Sequence, residues 1–347
     1  MHLKKNHLFI AMMLSIFAVS AMACTPQAPV DPNPTTSTSS TTTTTSTPAP
    51  TTWEFKLRVG VPDYLVTKYG GLAAIRAKVD QQISEVNTHY AVGFTKPIVW
   101  KVNEFYTFTQ PASLERNAGR GSSDYLLLYS ENEVVDDGGW WPANWSIVIR
   151  WTPSMGGVFG QYGADSLAHE LGHARGMIDS YGLGVNTNPI GGGTYTPAPG
   201  FMTYPYGATL FDSYNTAVAN ASAQQVYNDD HVVWQSLPTS YSVVVKNLAG
   251  STVSGASVSL YPVPWFSYTV STSASLTGVT ATNGSWALPS NPLNVTSGVP
   301  WNIGTPMFLV KATSSDKTGY GWLTLPDAGL AYFANPNAPY SLTVTVS

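Results

Sequence analysis

From Trp53 to Val61 apolar and polar residues alternate: Trp53, Phe55, Leu57, Val59 and Val61 fall on one side, and Glu54, Lys56 and Arg58 on the other. A period of two marks a strand with one buried face. The period then lengthens. Leu72, Ile75, Val79, Ile83, Val86 and Tyr90 recur at helical spacing, which predicts a long amphipathic helix laid against the sheet. Ile98, Trp100 and Val102 alternate again. Tyr125-Leu126-Leu127-Leu128-Tyr129 is a continuous apolar run, as expected of a central strand covered on both faces. Ser146 to Trp151 reads as one more strand. A further helix is expected to begin at Asp165 or Ser166, both good caps.

From about Tyr241 only strand rhythm remains. Val243 and Val245 alternate, Val253 to Leu260 continue, and Asn283-Gly284 predicts a hairpin turn. Phe308–Ala312, Tyr320–Leu325 and Tyr340–Val346 supply more strands. No helical period appears there, so residues 239–347 are expected to form a β-sandwich. The run from Val243 to Tyr261, with Thr280–Leu288, resembles Ig-like or carboxypeptidase-regulatory-like modules. The fold class expected is α+β: a mixed sheet-and-helix domain over 53–238, then an all-β domain.

The first residues read differently. Lys4 and Lys5 precede an apolar run from Leu8 to Val19, which ends in small residues before Cys24. That run is short for a membrane span and reads as a secretory signal over 1–23. Cys24 is the only cysteine, so a disulfide within the monomer is excluded. Its position resembles that of the lipid-modified residue of bacterial lipoproteins, which implies an anchor at the outer face of the cell envelope, with or without later release. Residues 24–52 are nearly all Thr, Ser and Pro, a composition that cannot bury enough surface to order itself, and read as a tether. With 16 Lys+Arg against 20 Asp+Glu, the net charge is −4 and no basic stripe exists, so nucleic acid is not an expected partner. The glycine-rich stretches lack a following Lys-Ser/Thr, so neither is nucleotide. A monomer is expected.

The candidate chemistry begins at His169-Glu170-Leu171-Gly172-His173. Histidines four apart stand one above the other on a helix face and can reach one metal ion. Glu170, beside the first, is placed to act on a metal-activated water. No glutamate follows Glu170, so the third ligand is not a downstream Glu. Gly176 can end the helix at positive φ and turn the chain back, bringing the short side chain of Asp179 to the metal. Two alternatives stand beside this: Asp179 as a helix-terminal or calcium-binding carboxylate, and His231 as the ligand instead.

The whole string HELGHARGMID fits HExxHxxGxxD and resembles the signature of metzincin zinc metalloproteases, with Asp in the last place as in the snapalysin-like minority. Gly200-Phe201-Met202-Thr203-Tyr204-Pro205 resembles the Met-containing turn of the same family. The resemblance implies a zinc endopeptidase whose ion is held by His169, His173 and Asp179, with Glu170 as general base. Met202 would lie below the metal. Tyr204 would approach the metal, as the tyrosine two after that methionine does in astacin-like and serralysin-like members. The strand Ser146–Arg150 would be the edge that pairs with a peptide or protein substrate. Plainer readings are Met202 as core and Tyr204 as structural. Trp140, Trp141, Trp145 and Trp151 are read either as cleft or as core. Asp136-Asp137-Gly138-Gly139 and Asn228-Asp229-Asp230 offer oxygens of the kind Ca2+ takes, or are solvated turns. An alternative of another class is a surface lipoprotein that binds glycan or protein, its zinc site non-catalytic.

Overall fold

The structure, a computed structural model, describes residues 51–132, 136, 138–151, 156–222, 236–293 and 304–347. The signal, most of the tether, Cys24, Asp137, Asn228, Asp229, Asp230 and His231 lie outside the described residues.

Strand β1 (Trp53–Pro62) buries the face read from its alternation. Helix α1 (Asp63–Lys68) follows it directly, and helix α2 (Leu72–Tyr90) comes next. Ile75, Val79, Ile83, Val86 and Tyr90 of α2 are buried, whereas Leu72, at the helix start, is exposed. No side chain caps the start of α2, so packing decides it. Each buried apolar side chain contributes about 1.5–3 kcal/mol, several times the spread of helix propensities among ordinary residues, about 0.7 kcal/mol.

Then come β2 (Ile98–Phe108), helix α3 (Ala112–Glu115), β3 (Tyr125–Ser130), β4 (Gly139–Trp141), β5 (Ser146–Arg150) and helix α4 (Gly163–His173). The sheet order is β2-β1-β3-β5-β4. All neighbours are parallel except β4, which runs antiparallel to β5. Ser146–Arg150 is therefore not the sheet edge expected of it. Gly139–Trp141 doubles back through a 3₁₀ turn ending at Trp145, at φ 55°, and covers Ser146, Ile147 and Val148. Strand β3 is buried throughout. Tyr125, Leu127 and Tyr129 face the core shared with α2 and α4, while Leu126 and Leu128 face a smaller core with Phe108, Ala112 and Val148. Tyrosine hydroxyls lock α4 down: Tyr90 donates to the Ala168 carbonyl (2.8 Å) and Tyr125 to that of Ala174 (3.0 Å).

After α4 and a loop segment comes helix α5 (Ser213–Ser222). The C-terminal part holds a four-stranded sheet and a three-stranded sheet. The first contains β7 (Ser257–Val263), β8 (Leu276–Val279), β10 (Met307–Ser314) and β11 (Lys317–Thr324); the second contains β6 (Tyr241–Asn247), β9 (Ser285–Ala287) and β12 (Tyr340–Val346). Two expectations are corrected here. The region also holds helix α6 (Leu325–Ala334), capped by Thr324 Oγ1, which accepts from the Asp327 amide. In addition, Asn283-Gly284 does turn the chain, with Gly284 at φ 74°, but β8 pairs with β7 and β9 with β6, so the turn passes between sheets and closes no hairpin.

Val243, Val245, Val258, Leu260, Val310, Val344 and Val346 from both sheets share one core. Ile178, Leu183, Val185, Tyr214 and Val218 belong to that same core. Residues Ala49–Ser347 form one compact unit. Among the described residues no helix is long and apolar enough to cross a membrane.

Candidate metal centre

Helix α4 carries His169 and His173 one turn apart, and both are buried. Its end is shaped by Gly176, at φ 77°, a conformation glycine takes without steric penalty. The Met177 amide donates to the Gly172 carbonyl (3.1 Å) and the Gly176 amide to that of His173 (2.9 Å), the pair of bonds of a Schellman end. The chain therefore reverses, and Asp179 returns to the histidine face. Asp179 Oδ1 lies 3.1 Å from His169 Nε2 and 3.2 Å from His173 Nε2.

The other nitrogen of each ring is already engaged. His169 Nδ1 lies 2.8 Å from the Phe201 carbonyl oxygen, and His173 Nδ1 lies 2.9 Å from that of Met177. A carbonyl only accepts, so in a neutral ring Nδ1 carries the proton and Nε2 presents a lone pair. Asp179 Oδ1 is out of solvent and faces both Nε2 atoms. The carboxylate and the two Nε2 atoms thus face one another in a buried site, where a ring proton or a metal ion can bridge them. Burial raises the Asp179 carboxyl, but the imidazoles of His173 and His169 outweigh it and hold the group well below the usual carboxylate range. A metal ion supplies the same charge in competition with protons on the rings. The buried group His169, His173 and Asp179 can hold a metal ion; no fourth His, Cys, Asp or Glu among the described residues joins it.

Glu170 sits beside the three. Its Oε2 is out of solvent and without a partner. Burial raises its pKa and the Asp179 charge adds to this, while His169 and His173 act in the opposite sense.

The segment Gly200–Tyr204 makes a tight turn, the Thr203 and Tyr204 amides both donating to the Gly200 carbonyl. This turn provides the Phe201 carbonyl for His169 and the Met202 carbonyl, which accepts from the Ser180 amide at 2.8 Å. Met202 is fully buried, and its sulfur fills the space that the missing side chain of Gly172 leaves. Tyr204 stands apart, 65% exposed, its ring set edge-on to Tyr206 at 4.8 Å.

Several residues not singled out from the sequence hold the site. Asn215 of α5 is fully buried; its Oδ1 accepts from the Ile178 amide (2.8 Å), and its Nδ2 donates to Ser180 Oγ (2.8 Å) and Asp212 Oδ2 (2.7 Å). His89 pairs with Asp165 at 3.3 Å and packs on the Phe201 ring at 4.6 Å. Tyr181 stacks on His169; its place two residues after Asp179 was the one signal that could have drawn notice to it.

The remaining candidates resolve into packing. Trp140 is core, Trp141 lies under Arg116 and Trp145 under Arg120. Trp151 packs on Tyr206 at 5.3 Å. Both oxygens of Asp136 are engaged, one by the Ser113 amide and one by Ser130 Oγ.

Fold and site define a mixed α+β protein with one metal-competent cluster in the described residues. No family model matches the chain, and no curated protein does. The chain is similar to a protein in a structure of a chaperone-substrate complex, 17% identical over 50% of this chain and 35% of that one, with a TM-score of 0.33. It is also similar to wild-type OgpA from Akkermansia muciniphila in two crystal forms. Both are 11% identical and cover 79% of this chain and 94% or 93% of that one, with TM-scores of 0.31 and 0.30. Scores this low carry no argument about fold or activity.

Proposed function

We propose that the chain is a zinc-dependent endopeptidase of metzincin type, exported and held at the outer face of the bacterial envelope by a lipid on Cys24. The observation that carries this reading is the convergence of His169 Nε2, His173 Nε2 and Asp179 Oδ1, with the 3.1 and 3.2 Å separations given above. Ligands about 2.0–2.1 Å from a tetrahedral zinc stand roughly 3.3–3.4 Å apart, close to what the side chains already adopt.

His169, His173 and Asp179 would hold the ion. When bound, zinc supplies a Lewis acid that acidifies water and polarises a carbonyl oxygen. Among the described residues no fourth His, Cys, Asp or Glu joins the three, as a catalytic rather than a structural site would require. Glu170 takes the proton of the attacking water and passes it to the amine nitrogen as the C–N bond breaks. The edge strand Gly139–Trp141, rather than Ser146–Arg150, offers backbone groups for an extended peptide to pair with.

Metal analysis with cleavage-site profiling on a peptide library tests this, comparing wild type with Glu170→Gln. The expected result is one zinc per chain in both proteins and hydrolysis by the wild type alone. A wild type without stoichiometric zinc, or a Glu170→Gln variant that still cleaves, overturns the reading.

A further inference from the structure

The chain has six arginines. Arg58 pairs with Glu104 and Arg76 with Asp80, and Arg175 is fully buried. Among the described residues the other three, Arg116, Arg120 and Arg150, make no ion pair. All three flank β4 and β5, at the end of the sheet where β4 is the last strand. Carboxylates near them in the chain are engaged elsewhere. Glu115 accepts from the Tyr106 hydroxyl and Gln110, Asp124 from the Lys56 amide, and Asp136 from the Ser113 amide and Ser130 hydroxyl.

Strand alternation puts two of these cations on one face. Trp140 belongs to the core that α4 covers, whereas Trp141 and Val148 border the smaller core on the opposite side. Trp141 pairs with Ser146 and Gly139 with Val148. Side chains two apart share a face, so Arg150 lies on the Trp141 side. Arg116 stands over the Trp141 ring at 3.7 Å, and its Nη1 is out of solvent without an acceptor. A guanidinium stacked on an indole is held flat and keeps its in-plane donors for a carboxylate. Arg150 is exposed toward the other end of β4, where a Cβ on Gly138 would lie 3.2 Å from its own. Gly138 and Gly139 put no side chain between Arg150 and the sheet edge. Arg120, over Trp145 at 4.4 Å, adds positive charge past the Trp141 end.

We infer that this face selects acidic substrates. A peptide paired along β4 sends alternate side chains to the α4 side, where the metal-competent group lies, and to the Trp141 side. An Asp or Glu on the Trp141 side meets Arg116, and a second, an even number of residues away, meets Arg150. This rests on the endopeptidase reading and deepens it by naming the substrate class.

The test profiles the zinc-loaded wild type on a peptide library, then compares matched Glu and Gln peptides built on the best-cleaved sequence. Asp or Glu is expected at two positions an even number of residues apart. For the Arg116 position, kcat/KM should favour Glu over Gln by about 10-fold or more, as for a hydrogen bond to a charged group. That preference should fall as salt rises. Arg116→Gln should bring the ratio close to one. Arg150→Gln should reduce the ratio at the second position by about 2- to 5-fold, the scale of an exposed pair. A ratio of two peptides on one protein does not depend on how much of a variant folds. Fluorescence anisotropy with the same peptides on Glu170→Gln, with and without Arg116→Gln, should repeat the ratio in the absence of turnover. Cleavage without acidic preference, or an Arg116→Gln variant that keeps the full ratio, overturns this inference alone. A wild type that cleaves no peptide overturns the endopeptidase reading, and this inference with it.

Discussion

Asn215 lies outside the group that could hold a metal ion, yet it fixes the chain on either side of Asp179. Its amide group ties the Ile178 amide, Ser180 Oγ and Asp212 Oδ2 into one buried knot on either side of Asp179. Asn215→Ala leaves the Ile178 amide buried without an acceptor, a loss of about 1–3 kcal/mol. Metal affinity should fall by about 10- to 100-fold, the usual effect of losing an outer partner; chelator competition measures it, and unchanged affinity contradicts the role. His169, Glu170 and His173 were readable in the sequence because their relation is local: four residues along a helix is one turn, whatever the rest of the fold does. Asn215 was not, because its contact with Ile178 joins residues 37 apart and no pattern marks an asparagine in a short helix as special. The turn of Phe201 and Met202 was readable only as a motif; that its carbonyls orient His169 and receive the Ser180 amide is a product of folding.

Helix α4 begins where the chain passes very close to a neighbouring carbonyl. A Cβ at Gly163 would lie 2.3 Å from the Val158 carbonyl oxygen and 2.7 Å from Gln82 Nε2. Alanine improves helix propensity over glycine by up to about 1 kcal/mol. Forcing extra volume into a packed site costs about 1–3 kcal/mol, and a backbone carbonyl yields less readily than a side chain. Gly163→Ala is therefore expected to lower Tm; a raised Tm in thermal denaturation contradicts the close approach. At this scale β1, α2 and β3 followed from periodicity, because each buries the face its pattern defines. Three features did not follow. Helix α6 is ten residues with a glycine inside it, and its apolar positions overlap with those of a strand. The Asn283-Gly284 turn was legible, but which sheet each flanking strand joins is set by packing beyond the turn. The order of β4 and β5 depends on a doubling-back at Trp145, a non-glycine residue at positive φ that no turn rule anticipates.

The core that holds the C-terminal sheets also takes in Ile178, Leu183 and Val185, each almost wholly buried and each within ten residues of a proposed ligand. Further ties run the same way. Tyr195 packs on Trp322, Tyr320 hydroxyl donates to the Ile190 carbonyl, and Thr187 bridges to Thr269. A chain ending at residue 238 would expose these side chains at roughly 1.5–3 kcal/mol each. Three or more such losses rival the total stability of a domain, about 5–15 kcal/mol. The truncated chain is expected to lose protease resistance between Ile178 and Thr203 and to bind metal far more weakly. Limited proteolysis with metal titration checks this, and a truncated chain that keeps wild-type affinity contradicts it.

By itself the amino-acid sequence determined which residues offer ligand atoms, which faces of β1, α2 and β3 turn inward, and where the helix of the two histidines breaks. These are properties of neighbours along the chain. Only the tertiary structure decided that two imidazole nitrogens and a carboxylate oxygen meet in one buried place, that a tyrosine beside Asp179 rather than Tyr204 stacks on the ring of His169, and that the C-terminal strands share a core with the loop after it. Those relations join residues far apart in the chain, and burial and packing geometry select them rather than any local period.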